Sequence, residues 1–223
     1  MTRELRNLDW LIKKNMFDKL VYNNEINFFL VDTGTLIDIE DSYHNNGKKN
    51  EYFPVRVLEN IERVLSEINE NNSLIITPGV WNEVKRKKES RKNIRYEIAP
   101  STVQLIKQFY DDSSEKIEDI VINDPLREKH RYDTTLAAFH TFKEDYRKGE
   151  KDEISFTDIE LISLSLDLAN VNYQGKPISS VNILSTDSHI SQTMNTLKNE
   201  GGYNDYNVRA IHTRGDLRSY LRK

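Results

Sequence analysis

The sequence predicts an α/β fold in which a parallel sheet is flanked by helices, with an N-terminal helix ahead of it and a helical insertion inside it. Two observations carry that expectation. Apolar, β-prone runs at residues 26–31 (INFFLV), 73–77 (SLIIT) and 181–186 (VNILST) are each followed by a helical pattern, the alternation that buries a sheet between helices. The first run is also short and apolar except for Asn27, and it stops at Asp32, as a strand covered on both faces does.

In chain order, Leu5, Leu8, Ile12, Met16 and Leu20 recur at helical spacing, so residues 3–21 form an amphipathic helix within an extension over residues 1–25. Its apolar stripe suits packing on the domain or a homodimer contact. The domain proper spans residues 26–223. After the first strand, residues 42–50 are polar and rich in Asn, and Val57, Leu58, Ile61, Val64, Leu65 and Ile68 mark a helix. The second strand ends at Thr77, and Pro78 sits where a first helical turn tolerates its missing donor. An insertion over about 96–152 holds two helices, 101–120 and 134–148. Residues 157–170 read as a largely buried helix, 188–199 as another, and Gly201-Gly202 as a turn before a last strand at 207–213.

Composition narrows the setting. Of 223 residues, 30% are charged, mean hydropathy is −0.71 and the net charge is −4, so no window approaches a membrane span. With no cysteine and no apolar leader, the expectation is a soluble, cytoplasmic protein. The small net charge announces no nucleic acid; a basic surface would have to be local.

Four acids stand out by position. Ligands of an open parallel sheet bind beyond the carboxyl ends of its strands, and Asp32 and Asp187 both follow strands there. Glu83 lies in the helix after the second strand, and Asp158 in the first turn of a later helix. Each has a plain structural reading: a turn residue, a solvated helix residue, a capping box with Ser155, and an N-cap. Together they could face one cleft, where four carboxylates repel and a hard divalent cation, Mg²⁺ or Mn²⁺, is the ordinary remedy. The chemistry that follows is hydrolysis of a phosphodiester by activated water.

A basic run, KRKKESRKNIR, begins two residues after Glu83. Lys85, Arg86, Lys87, Lys88, Arg91 and Lys92 form a candidate RNA track; Arg86 and Lys87 share the helical face of Glu83. A second basic group is Arg209, Arg214, Arg218 and Arg222. Tyr96, Tyr110, Tyr132 and Tyr146 are candidate stacking surfaces for bases, and His189 a candidate proton shuttle, although packing and an exposed helix position explain them as well.

The segments VDTGTL, TPGVWNEV, FTDIELISLSLDLA and ILSTDSHI, in this order, resemble the PIN-domain ribonuclease family. The likeness covers about residues 27–41, 73–86 and 155–213. It implies a Rossmann-like sheet, one or two Mg²⁺ or Mn²⁺ ions, and cleavage of RNA, most often single-stranded. By the same resemblance Asp32, Glu83, Asp158 and Asp187 match the acidic metal ligands and catalytic residues, and Thr33 and Thr186 the small hydroxyl positions. The N-terminal helix and the segment 96–152 exceed the family's compact toxin members, which leaves an antitoxin or a ribonucleoprotein partner equally open. A catalytically inactive PIN-like RNA-binding or assembly module is the alternative. VDTGTLID is also similar to the haloacid dehalogenase signature, but the nucleophile position holds Val31 and the second aspartate position Thr33. Asp-Thr-Gly occurs in aspartic proteases, which need a second such aspartate. No strand leads into a Gly-rich phosphate loop, which disfavours a nucleotide-binding Rossmann domain.

Overall fold

The computed structural model describes residues 25–36, 72–89, 100–121, 125–148, 154–185 and 187–212. The helices expected over 3–21 and from 57 to 68 lie outside them. Among the described residues the elements run β1 (Ile26–Val31), β2 (Asn72–Ile75), α1 (Pro78–Glu89), α2 (Pro100–Val121), α3 (Arg127–Lys148), α4 (Phe156–Ala169), β3 (Asn172–Tyr173), β4 (Lys176–Ser185), α5 (Ser188–Glu200) and β5 (Val208–His212). The α/β class with a parallel sheet flanked by helices is therefore as expected. No helix among the described residues is long and apolar enough to cross a membrane.

β1 is paired in parallel with β2 on one side and β4 on the other, and β4 pairs in parallel with β5. Every residue of β1 is buried, which explains why its residues are apolar on both faces, save Asn27, rather than alternating. One polar rung crosses this core. Asn27 stands opposite Asn72 and Ser180 in the two ladders; its amide donates to Asn72 Oδ1 (2.9 Å), and its own Oδ1 accepts from Ser180 Oγ (2.6 Å). A one-residue slip of either neighbour would strand buried amides, so the rung selects the register that also aligns the carboxyl ends of β1 and β4.

The sheet is not purely parallel, as the strand–helix alternation alone would have it. β3 turns back on the start of β4 as an antiparallel hairpin, with Tyr173 opposite Lys176. Its two loop residues, Gln174 (φ 51°) and Gly175 (φ 75°), both have positive φ, the condition for the tight turn that suits strand twist.

The two helices expected inside the insertion are joined into the layers. α2 packs on α1, β2 and α4, whereas α3 packs on α4 and α5. Where the β2 ladder ends, Ser113 of α2 takes over, its Oγ accepting from Ile76 N–H (3.0 Å) and donating to Phe109 O (2.5 Å). α3 begins at Arg127, earlier than the expected 134, because the polar stretch REKHRYD is anchored through a buried His130 that apolar periodicity does not detect. The helix kinks at Phe142 (φ −108°, ψ 15°), next to Thr141, whose hydroxyl bonds back to Ala137 O (2.7 Å). α4 is buried over most of its length and lies against β4, α1 and α3; its first turn faces the sheet edge described next.

Candidate functional site

The site starts from strand register. Val31 pairs with Leu184, so the chain leaving β1 meets the last residues of β4. Asp32 N–H donates to Leu184 O (2.9 Å), and Thr35 Oγ1 donates to the same carbonyl (3.0 Å). Ser185 then joins two acids: its hydroxyl donates to Asp32 Oδ2 (2.8 Å) and accepts from Asp187 N–H (2.9 Å). Asp187 is also the N-cap of α5, its carboxylate accepting from His189 N–H (2.8 Å). The His189 ring is half-buried, with Nδ1 3.3 Å from Asp187 Oδ1 and its plane edge-on to Phe142 at 4.7 Å. It is a packed residue beside an acid rather than an exposed one.

The other two acids come from helices. α4 opens with a full capping box, in which Ser155 Oγ accepts from Asp158 N–H and Asp158 Oδ2 accepts from Ser155 N–H, both at 3.1 Å. The structural role read for Asp158 is thus real, and it also fixes the carboxylate in place. One residue earlier, Thr157 Oγ1 donates to Glu83 Oε1 (2.5 Å), tying α4 to α1.

Asp32 and Asp158 are each only 6% exposed. Burial lifts the Asp158 carboxyl to about 6; repulsion by Asp32 and Asp187 adds to the rise, and the bonds from Ser155 oppose it. Burial raises Asp32 too, opposed by the Ser185 hydroxyl and the Gly34 amide and reinforced by Glu83 and Asp187. The four acids are therefore linked through their charges at the strand tips. Among the described residues, however, no three His, Asp or Glu side chains stand close enough to ligate one ion directly.

Searches against protein-family models, curated proteins and solved structures return no match.

Of the hydroxyls expected beside the acids, Thr33 is buried and its Oγ1 has no hydrogen-bond partner, while Thr186 lies outside the described residues. In the basic run, Lys85 and Arg86 are exposed on α1, with Lys85 Nζ 5.4 Å from the Trp81 ring centre. Lys87 and Lys88 belong to α1, but their side chains, like Arg91 and Lys92, lie outside the described part. Tyr110 stacks on Trp81 (5.7 Å) and is packed against the core; Tyr132 is 68% exposed; Tyr96 and the Tyr146 side chain are outside. Arg209 is half-buried on β5, and Arg214, Arg218 and Arg222 are outside.

Sequence reasoning missed Ser185 and Thr157, which hold two of the acids. It also missed a cavity of about 540 Å³ beside them, where α1 and α4 meet α3, lined among others by Glu83, Arg86, Arg127, Arg131, Phe156 and Glu160. Glu160 lies so close to the start of α1 that a Cβ on Gly79 would stand 2.0 Å from its Oε2. Gly79 N–H donates to this carboxylate, which thereby caps the positive end of α1. Burial raises the Glu160 carboxyl, against the Gly79 amide and the charges of Arg131 and Arg127.

Proposed function

We propose that the chain is a divalent-metal-dependent endoribonuclease with a PIN-like, Rossmann-like architecture, a cytoplasmic hydrolase whose partner is single-stranded RNA. The observation that carries this reading is the Ser185 hydroxyl, which donates to the Asp32 carboxylate and accepts from the Asp187 backbone N–H, with the charges of Asp187, Asp158 and Glu83 acting on one another there. No cationic side chain among the described residues pairs with Asp32 or Asp158, and buried carboxylates without a counter-charge are costly unless a cation completes the site.

The donor set is chemically suited to Mg²⁺ or Mn²⁺: hard oxygens, and in Thr33 a buried hydroxyl still without a partner. Mg²⁺ is commonly held by one or two carboxylates with water filling its shell, which does not require three acids in contact with one ion. The cation would supply Lewis acidity toward water and neutralise charge growing on the phosphodiester. The chain's part is orientation. Ser185 holds one oxygen of Asp32, the capping box holds one oxygen of Asp158, and Thr157 holds Glu83.

The test is incubation of a labelled single-stranded RNA with Mn²⁺, comparing the parent chain with Asp32→Asn. The parent cuts the RNA, and the variant falls by on the order of 10²-fold or more, the scale of losing one electrostatic stabiliser. A parent that leaves RNA intact, or a variant that cuts equally well, overturns the proposal. The lack of a three-acid group among the described residues favours a second reading, a catalytically inactive PIN-like module that binds RNA or assembles with a partner. That module retains RNA binding without cleavage.

A further inference from the structure

We propose that the cavity where α1 and α4 meet α3 is a nucleotide subsite, in which an unpaired base stacks on Phe156 and the flanking phosphates are held by Arg86, Arg127 and Arg131. The proposal deepens the ribonuclease reading by naming where the substrate strand lies, and it rests on that reading for the choice of RNA.

Position is the first argument. Phe156 is the first residue of α4; Thr157 beside it holds Glu83, and Asp158 is two residues on. Glu83 lines the same cavity, so a base on this ring lies beside one of the four acids. Exposure is the second. The Phe156 ring is 67% exposed at the mouth of a cavity, and the Arg131 guanidinium lies 5.1 Å from its centre, so an aromatic face and a cation are presented together, the pairing that single-stranded nucleic acids use.

Charge is the third argument. Arg127 and Arg131 are four residues apart and share one face of α3, while Arg86 reaches the same cavity from α1. Both α3 arginines line the cavity and act on the half-buried Glu160 carboxylate. None of the three forms an ion pair among the described residues. The acids that share the lining are already engaged: Glu160 with Gly79 N–H, Asp167 with His130, Glu83 with Thr157. The cavity volume falls within the range of sites that enclose small ligands. Duplex RNA keeps its bases stacked inside the helix, so an aromatic platform selects single strands. The helical insertion, which supplies Arg127 and Arg131, thereby becomes part of the substrate surface.

The experiment measures binding of a fluorescently labelled oligouridylate to the full chain by anisotropy, in EDTA so that no cleavage occurs, across a salt series. Phe156→Ala is expected to weaken binding on the order of tenfold with the salt slope unchanged, and Phe156→Trp to restore it. The double variant Arg127→Gln/Arg131→Gln is expected to weaken binding and to reduce the slope of log K against log salt by about 0.7 for each phosphate it no longer neutralises. A blunt-ended duplex of equal length is expected to bind Phe156→Ala and the parent equally. Variants that keep the parent's melting temperature and bind the single strand within twofold of the parent overturn the proposal, as does a parent that fails to bind it at low salt. Because no metal is present, a chain that binds as expected but never cuts RNA refutes the nuclease reading and leaves the subsite standing. A chain that cuts RNA while the variants bind normally does the reverse.

Discussion

Among the described residues, the helical layer and the sheet edge both bury carboxylates, and they solve the problem differently. In the helical layer Asp167 is 4% exposed at its side chain and meets His130, 1% exposed, with Oδ1 2.6 Å from Nδ1. Tyr203 and Tyr206 close the pair off edge-on, each ring 5.7 Å from the imidazole. At the sheet edge Asp32 and Asp158 are as deeply buried, yet their neighbours are hydroxyls, amides and further carboxylates. A buried charge is tolerated when it is paired or when it binds a metal. The first site is closed by the chain itself and fastens α3 to α4; at the second, no cationic side chain among the described residues pairs with Asp32 or Asp158, and the proposed function assigns that place to a cation.

The contrast breaks most sharply at the finished pair. His130→Ala takes the imidazole away from the buried Asp167 carboxylate and is expected to cost roughly 3–5 kcal/mol in urea unfolding, whereas replacing both residues with Leu comes out near neutral. Equal losses for the single and double variants would mean that packing, not pairing, matters there.

At the sheet edge the expected sign is opposite, because removing an acid should help. The folded-state value of about 6 for Asp158 exceeds its ordinary 3.8, so between those values the folded chain holds more protons than the unfolded one. Stability from this group is therefore fully present below about pH 4 and falls as pH rises through 6. In the absence of divalent ions, Asp158→Asn, which keeps an acceptor for Ser155 N–H, is expected to be more stable than the parent by roughly 2–3 kcal/mol at pH 8. The two should converge near pH 4. Calorimetry across that range that finds the variant less stable at pH 8 would show that the carboxylate already has a counter-charge.

The smallest effect belongs to the hydroxyl between the acids. Ser185→Ala removes the bond that orients Asp32 and is expected to weaken Mn²⁺ affinity about 10–100-fold, the usual cost of removing a hydrogen bond that supports a metal ligand. Unchanged affinity in a Mn²⁺ titration would make Ser185 a bystander.

Much of this was legible in the sequence, for identifiable reasons. Apolar runs that stop at Asp32 and just before Asp187 mark strand ends, and strand ends are where an α/β sheet presents ligands; the structure brings both acids to the same edge. The capping pattern of Ser155 and Asp158 is local and could be read directly. The Ser185 bridge could not, because it exists only once β1 and β4 are in register, 153 residues apart in sequence. The β3 hairpin stayed hidden because its strand is two residues long and its turn is Gln-Gly rather than the Asn-Gly or Asp-Gly that flags such turns. Arg127, Arg131 and Phe156 look like ordinary surface positions until α3 lies against α4, and the buried role of His130 depends on the same packing.

The central claim is that the sheet edge is a negative site built to take a divalent ion, and a thermal-stability titration with Mn²⁺ at about pH 7.5, well above the Asp158 value, addresses it without assuming any substrate. The account predicts that the parent's melting temperature climbs with Mn²⁺, by the equivalent of about 2.7 kcal/mol at roughly a hundredfold excess over Kd, while Asp32→Asn/Asp187→Asn does not respond. A parent whose melting temperature ignores Mn²⁺, or a double variant that responds as strongly as the parent, contradicts it.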